Sequence, residues 1–292
     1  HDLERCLFEY ETRGAVAPFP LGAADLSPVF RVPQKLYGRA GEVAQIVDAF
    51  EGCAAGARRL LLVGGYSGTG KTALVHEVHR PITARRGQFA SGKFDQFQRA
   101  TPYSAFLEAF RGLIDTRLTE DEETLSRLRA ELRDALGEEG RVLTDLLPNL
   151  EHVIGPQPPV AEVGGAEAQN RFRYVFRKFL RVLATAAHPV VIFIDDLQWA
   201  DSASLDLMRS LMTDPDLGHL LLICAYRENE VDPTHAFIRC VDEIAESGLA
   251  ADRIRIGNLG ADDLAALLSD ALSATTDDVR PLARLVAVLE RA

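Results

Sequence analysis

The chain has 292 residues, 47% of them hydrophobic and 26% charged, with a formal net charge of −11. That length allows one large domain or two smaller ones, and the apolar content supplies a sizeable core. The negative charge argues against a general nucleic-acid or anionic-membrane surface, and no apolar run reaches the roughly 20 residues of a membrane-spanning helix.

The N-terminus lacks a signal-peptide pattern. Cys6, Cys53, Cys224 and Cys240 stand apart without C-x-x-C spacing, which suits reduced thiols in a cytoplasm. Without an initiator Met, and stopping inside a helical pattern at Ala292, the sequence reads as a segment of something longer. Asp2 to Arg13 predicts a short helix, and Pro18 and Pro20 punctuate a connector, so residues 1–33 read as a linker from a preceding domain. From Glu42 to Phe50, Val43, Ile46, Val47 and Phe50 share one helical face.

Leu60-Leu61-Leu62-Val63 is an all-apolar run, the pattern of a strand buried on both faces of a parallel sheet. It leads into Gly65-Tyr66-Ser67-Gly68-Thr69-Gly70-Lys71-Thr72, which fits the phosphate-binding (Walker A) pattern G-x-x-x-x-G-K-[ST], and Ala73-Leu74-Val75 opens a helix. Glycines let the backbone curl so that successive N–H groups face phosphate oxygens, and the positive end of the following helix adds to that field. Gly65, Ser67, Gly68, Thr69, Gly70, Lys71, Thr72 and Ala73 are therefore the candidate nucleotide-binding residues. Lys71 would bridge the β- and γ-phosphates, and the Thr72 hydroxyl would ligate Mg²⁺.

The helix after the loop is expected to stop before Pro81, because proline disfavours helix in the residue preceding it. Gln88 to Gly92 predicts a second strand and Pro102 to Ile114 a helix. Thr119 and Glu122 form a capping-box pattern ahead of a Leu125, Leu128, Leu132, Leu136 stripe that Gly137 ends. Gly155 to Gly165 reads as a loop. Phe172, Val175, Phe176, Phe179, Leu180 and Leu183 then form an apolar stripe. Arg173, Arg177, Lys178 and Arg181 lie opposite, as a solvated face rather than a nucleic-acid surface. Pro189 closes that helix, and Val190 to Asp196 is the next buried strand. A helix marked by Leu205, Met208, Leu211 and Met212, a strand from Leu220 to Tyr226, a helix from Phe237 to Ala245 and a short strand at Ile254 to Ile256 follow. Asp262 to Leu272 and Asp278 to Glu290 are two further helices. Strands alternating with helices imply an α/β fold with a parallel sheet covered on both faces.

A carboxylate at the carboxyl end of a buried strand sits beside a phosphate loop, where it can hold Mg²⁺ directly or through water; Asp195 fits that role. Asp196 fits the acid that positions or deprotonates the attacking water, the alternative being a pair of strand-end caps. Arg227, at the end of the next strand, could reach a γ-phosphate or pair with Glu228 or Glu230. His76-Glu77-Val78-His79 has a spacing of three where H-E-x-x-H needs four, so the zinc motif fails.

A family resemblance rests on separated motifs: Leu36-Tyr37-Gly38-Arg39, the phosphate loop, Asp195-Asp196-Leu197-Gln198-Trp199-Ala200-Asp201 (Walker B), and Ala225-Tyr226-Arg227. Together they resemble the STAND class of AAA-like signal-transduction ATPases. Val75 to Val78, Gly92 to Arg99, Glu167 to Phe172 and Asp232 are similar to one bacterial subgroup. In that subgroup the ATPase lies between a Ser/Thr-protein-kinase-like domain and GAF and sensor histidine kinase modules. The resemblance implies an ASCE-type P-loop NTPase, a three-layer α-β-α sandwich with strand order 5-1-4-3-2. It implies an ATPase domain over residues 34–258 and the beginning of a helical lid over 259–292. It further implies that Leu36, Tyr37 and Arg39 line the adenine and ribose, and that Arg227 senses the γ-phosphate.

The expected function is an ATP-binding, Mg²⁺-dependent and slowly hydrolysing switch module of a cytoplasmic signalling kinase. Its expected partners are the flanking domains, with self-association through the ATPase domain and no direct contact with nucleic acid or membrane. Two alternatives stand beside it: a nucleotide-binding scaffold with little turnover, and the ATPase module of a transcriptional regulator, which the acidic charge and the lack of a helix-turn-helix signal disfavour.

Overall fold

The structure is a computed structural model that describes residues 2–19, 33, 35–97 and 101–289. Pro20, Leu21 and Gly22 of the connector, most of the remaining linker, Gln98 and Arg99 of the second motif, and Glu290 of the last helix lie outside them. Residues 41–256 form one compact unit, and residues 1–40 with 257–292 form another. Helix α1 (Asp2–Arg13), in the second unit, matches its expected span.

The larger unit is built on five parallel strands in the order β2-β3-β4-β1-β5. Read from the other edge this is 5-1-4-3-2, the expected order. Helix α2 (Ala40–Ala54) precedes β1 (Arg58–Gly65), which leads through the glycine loop to α3 (Lys71–Glu77) and α4 (His79–Ala84). Next come β2 (Gln88–Lys93), α5 (Ser104–Arg117) and α6 (Glu122–Leu136), then the short helices α7 (Gly140–Thr144) and α8 (Glu151–Ile154). Helix α9 (Gly165–Leu183), β3 (Val190–Asp195), α10 (Ser202–Met212), β4 (Leu220–Arg227), α11 (Ala236–Glu246) and β5 (Asp252–Ile256) complete the unit.

The apolar runs explain the strand positions. Every residue of β3 is buried, as are the first six of β4, so these strands read as continuous hydrophobic sequence and take the middle of the sheet. Leu60, Leu62, Val190, Ile192, Leu220 and Leu222 meet helices α5 and α9 in a core where Phe110 packs edge-on against Phe176 at 4.9 Å. Each such side chain contributes about 1.5–3 kcal/mol on burial. Helix α5 comes so close to β2 that a Cβ on Gly92 would lie 1.8 Å from the Ala105 carbonyl oxygen. Only glycine fits there, and that contact sets the end of β2 against the helix.

Several local expectations need correction. The helix after the phosphate loop stops before Pro81 as expected, at Glu77, but a second short helix the sequence did not suggest, α4, follows at once and carries Pro81 in its first turn. There the missing N–H has no intrahelical partner to lose. The capping box is not formed. Asp121 caps α6 by accepting from Thr124 N at 2.9 Å, while the Thr119 hydroxyl donates to the Thr116 carbonyl. A shorter carboxylate side chain one residue before the helix reaches the orphan amides directly. Helix α9 ends at Leu183, before Pro189, which instead leads into β3. Its basic face is paired: Arg173 with Asp206 at 3.1 Å, and Arg181 with Asp214 at 2.6 Å, the latter carboxylate wholly buried.

In the smaller unit, α12 (Ala261–Leu272) packs on α13 (Thr276–Leu289) through Leu264, Ala265, Val279, Ala283 and Ala287. The Leu282, Leu285 and Leu289 side chains of α13 are exposed. Leu36 is half-buried here. The Tyr37 hydroxyl donates to Asp270 at 2.6 Å, and burial followed by that carboxylate pushes its pKa up to about 12. Lys35 reaches the same carboxylate, and Arg39 donates to the Gly257 carbonyl.

Candidate functional site

Parallel strands all end on one side of a sheet, and ligands of open α/β folds bind outside those carboxyl ends. Here the register aligns the ends: Gly65 of β1 stands opposite Arg227 of β4, and Lys93 of β2 opposite Asp195 of β3. The candidate residues thus converge from four neighbouring strands.

The loop turns back on itself through Gly68 and Gly70, whose φ values of +81° and +90° lie in the left-handed region. Gly65 is packed as well, since a Cβ there would meet the Ile256 carbonyl oxygen at 2.6 Å. Tyr66, Ser67 and Gly68 are exposed, and Thr69 is held by its hydroxyl, which donates to the Tyr66 carbonyl at 2.9 Å. Ala73, like Thr72, lies in the exposed first turn of α3. Lys71 is buried, and its ammonium donates to the Gly65 and Tyr66 carbonyls at 3.0 and 2.7 Å. Burial pulls it below the ordinary lysine value, against Asp195 and Asp196, which raise it. A desolvated cation with only carbonyl partners is primed for an anion.

Thr72 and Asp195 meet: the hydroxyl donates to Asp195 Oδ2 at 2.7 Å. These are two hard oxygens side by side. They fit Mg²⁺, which takes one or two protein oxygens and completes its shell with phosphate and water, so no protein cage of three carboxylates or histidines is required. None occurs among the described residues.

Asp196 leaves the strand with φ +52°. Its amide donates to Asp195 Oδ1 at 2.8 Å, and its carboxylate, 4% exposed, receives three groups. Gln198 Nε2 lies at 2.8 Å, Lys93 Nζ at 3.0 Å and Arg227 Nε at 3.2 Å. Burial would raise this carboxyl, but the hydrogen bonds from Gln198 and Lys93 and the nearby cations outweigh it and hold the group below the usual carboxylate range. The bond to Asp196 raises Lys93 in return. Of the two sequence readings of Arg227, the structure shows the carboxylate pair, with Glu230, and adds a second one that the sequence did not suggest. Arg227 pairs with Glu230 at 2.8 Å and with Asp196, and its guanidinium lies 4.7 Å over the Trp199 ring.

Gln198 and Lys93 were not assigned roles from sequence. Gln198 also accepts from the Arg227 amide at 3.2 Å, tying the Asp196 turn to β4. The available signal for Lys93 was its place at the end of β2, which only the pairing with β3 brings to the site. Sequence comparison supplies the family. The profile of the AAA ATPase domain matches residues 35–223, which include the loop, Asp195 and Asp196.

The chain belongs to the AAA ATPase domain family.

Among curated proteins, this AAA ATPase domain is similar to hybrid signal transduction histidine kinase G of Dictyostelium discoideum. The two are 34% identical over 197 residues, 68% of this chain and 6% of that protein. Histidine protein kinase 1 of Candida albicans is 22% identical over 211 residues, 67% of this chain and 8% of its own. The chain thus spans less than a tenth of either relative's length. Among solved structures, Cdc6p from Pyrobaculum aerophilum matches 88% of this chain and 56% of its own at 14% identity and a TM-score of 0.49. The Orc1 protein of Aeropyrum pernix in complex with DNA matches 82% and 50% at 16% identity and a TM-score of 0.44.

Proposed function

We propose that this AAA ATPase domain binds ATP with Mg²⁺ at the carboxyl edge of its sheet and hydrolyses it slowly, as a STAND-class switch within a multidomain signalling kinase. One observation carries the reading: the Lys71 ammonium, the Thr72–Asp195 oxygen pair and Asp196 with its two cations converge from separate strands and the loop between them. In that reading Lys71 and the loop amides from Gly65 to Ala73 hold the phosphates, Thr72 and Asp195 hold Mg²⁺, and Arg227 stabilises charge at the γ-phosphate. Water attacks the γ-phosphorus, the bond to the bridging oxygen of ADP breaks, and Asp196 takes the water's proton.

The environment of Asp196 favours slow turnover. A carboxylate held below its ordinary pKa by Gln198 and two cations is a weak proton acceptor, and base catalysis weakens with base strength. The same observation supports a second reading, a nucleotide-binding module with little turnover. The similarity to two histidine kinases supports the signalling context, including flanking kinase and sensor domains as partners; self-association rests on the resemblance alone. The adenine-side role of Leu36, Tyr37 and Arg39 is likewise carried by the resemblance. Titration calorimetry with ATP and Mg²⁺, followed by single-turnover phosphate release, tests the reading. Binding with no phosphate release would leave the module without turnover, and no binding would remove both.

A further inference from the structure

The two edges of the sheet differ in how they are protected. Along β5, Asp252, Arg253 and Arg255 are exposed, and charges of this kind are a usual guard against pairing with another strand. On β2, Gln88 to Gly92 carry no charge and no proline, and among the described residues this strand pairs only with β3. Every second residue of a strand turns its N–H and C=O to the same side. The Gln88 and Phe94 amides donate towards β3, to the Pro189 and Asp195 carbonyls at 2.8 and 3.1 Å. Phe89, Ser91 and Lys93 therefore turn theirs outward. The Lys93 amide fixes that phase, because it donates to Glu108 Oε2 of α5 at 2.9 Å. Glu108 thus closes one end of the edge. The outward backbone groups of Phe89 and Ser91 have no partner among the described residues.

This open stretch is the floor of a groove of about 430 Å³, to which Phe89, Ala90 and Ser91 contribute. His76 of α3 and His79 and Arg80 of α4 form one wall, and Ala109 and Gly112 of α5 form the other. The strand's alternation accounts for the walls: Phe89 packs edge-on against His79 at 5.0 Å, while Ala90 joins the core that contains Ala105 and Ala109. Ser91 is exposed between them.

Unpaired donors and acceptors at alternate residues are complementary to one thing, the edge of another strand. Walls on both sides decide which kind. A second copy would have to bring its own β2, which lies between the same two walls, whereas a single extended peptide enters the groove unhindered. The walls also set its side chains, since successive residues of an added strand point to opposite sides. No carboxylate lines the groove, and the exposed Arg80 guanidinium has no partner among the described residues, so the α4 side favours acidic side chains. On the α5 side, a Cβ on Gly112 would meet nothing within 4 Å, which leaves room for apolar side chains over Ala109 and Gly112.

We propose that β2 accepts an additional strand in this groove: an extended segment of a partner protein, with acidic residues towards Arg80 and apolar residues towards α5. The inference stands independently of the ATPase reading.

The probe is a short fluorescent peptide of alternating glutamate and valine, titrated into the whole chain and followed by anisotropy. The wild type should bind it, and should bind the same peptide with lysine for glutamate more weakly. Methylating alternate peptide amides should abolish binding in the phase that faces β2 and be tolerated in the other. Ser91→Pro removes an outward N–H that no internal bond uses, a place where an edge strand tolerates proline. It should weaken binding at least about fivefold, the loss expected for one net hydrogen bond. Arg80→Ala should weaken it by up to about fivefold, as for one exposed ion pair. Gly112→Leu fills the groove from α5 and should abolish binding with an unchanged or higher melting temperature, because leucine is the better helix former. This variant carries the test if Ser91→Pro does not fold. No binding of the acidic peptide up to about 1 mM, or equal binding by Gly112→Leu, overturns the site. Indifference to amide methylation overturns strand addition, and tighter binding of the lysine peptide overturns the acidic partner. A wild-type dimer that Gly112→Leu dissociates would assign the edge to a second copy and overturn the partner protein.

Discussion

At the scale of single residues, the proposed reading divides the chemistry between Lys71 and the two aspartates. Lys71→Ala removes a desolvated cation that in the proposed reading holds the phosphates, so ATP binding should weaken by about 2–5 kcal/mol while the fold persists. Calorimetry with a parallel melting curve checks both halves. Asp195→Asn replaces a charged hard-oxygen donor beside Thr72, and Mg²⁺-dependent binding should suffer. Asp196→Asn should retain ATP and lose roughly 10²–10⁴-fold in single-turnover rate, the span typical of a lost general base. Equal loss of binding in both variants would contradict this division. The pH profile gives a further handle. Gln198 and Lys93 keep Asp196 ionised below the usual carboxylate range, so in Lys93→Ala its pKa rises. The acid limb of kcat/KM should then move to higher pH. The same shift is a stability statement. A carboxyl lowered by folding stabilises the native state above its unfolded pKa and loses that contribution as pH falls through the folded value. Acid unfolding of Lys93→Ala should therefore begin at higher pH than that of wild type.

At the scale of elements, the close approach of β2 and α5 is the contact on which the position of Lys93 depends. Gly92→Ala would drive a Cβ into the Ala105 carbonyl, where backbone on both sides must shift. Overpacking of that kind costs about 1–3 kcal/mol, and more where both partners are backbone, which urea unfolding measures as a lower midpoint. Helix α6 offers a paired test. Asp121→Ala should destabilise by about 1 kcal/mol, whereas Thr119→Ala should have little effect, because Asp121 makes the cap and the Thr119 hydroxyl only closes the end of α5. The capping-box pattern in the sequence pointed to Thr119 and not to Asp121. Propensity favours either at a cap, and the choice depends on where the preceding turn lets the chain enter the helix.

At the scale of the molecule, the candidate phosphate-binding set belongs entirely to one unit. Gly65, Lys71, Thr72, Lys93, Asp195, Asp196 and Arg227 all lie within residues 41–256, which contain the whole sheet and its core. That segment expressed alone should unfold cooperatively and bind magnesium tripolyphosphate, which has phosphates and no base, as well as the whole chain does. Calorimetry on the two proteins decides it. Weaker binding by the segment would place part of the phosphate grip outside this unit.

The sequence alone determined the parallel α/β architecture and the loop. Both are written locally: a strand buried on two faces must be continuously apolar, and a backbone cradle for phosphate needs glycines at set intervals before Lys71 and Thr72. The order of the strands came from resemblance, and the structure bears it out. Tertiary structure decided what long-range register alone controls. Pairing of β2 with β3 brings Lys93 to Asp196, and the end of β4 brings Arg227 to the same carboxylate. Neither partner is near Asp196 in the chain, so no local pattern could reveal that its charge is held by two cations. The paired basic face of α9 has the same origin, since the acids that neutralise it come from Asp206 and Asp214, beyond the next strand.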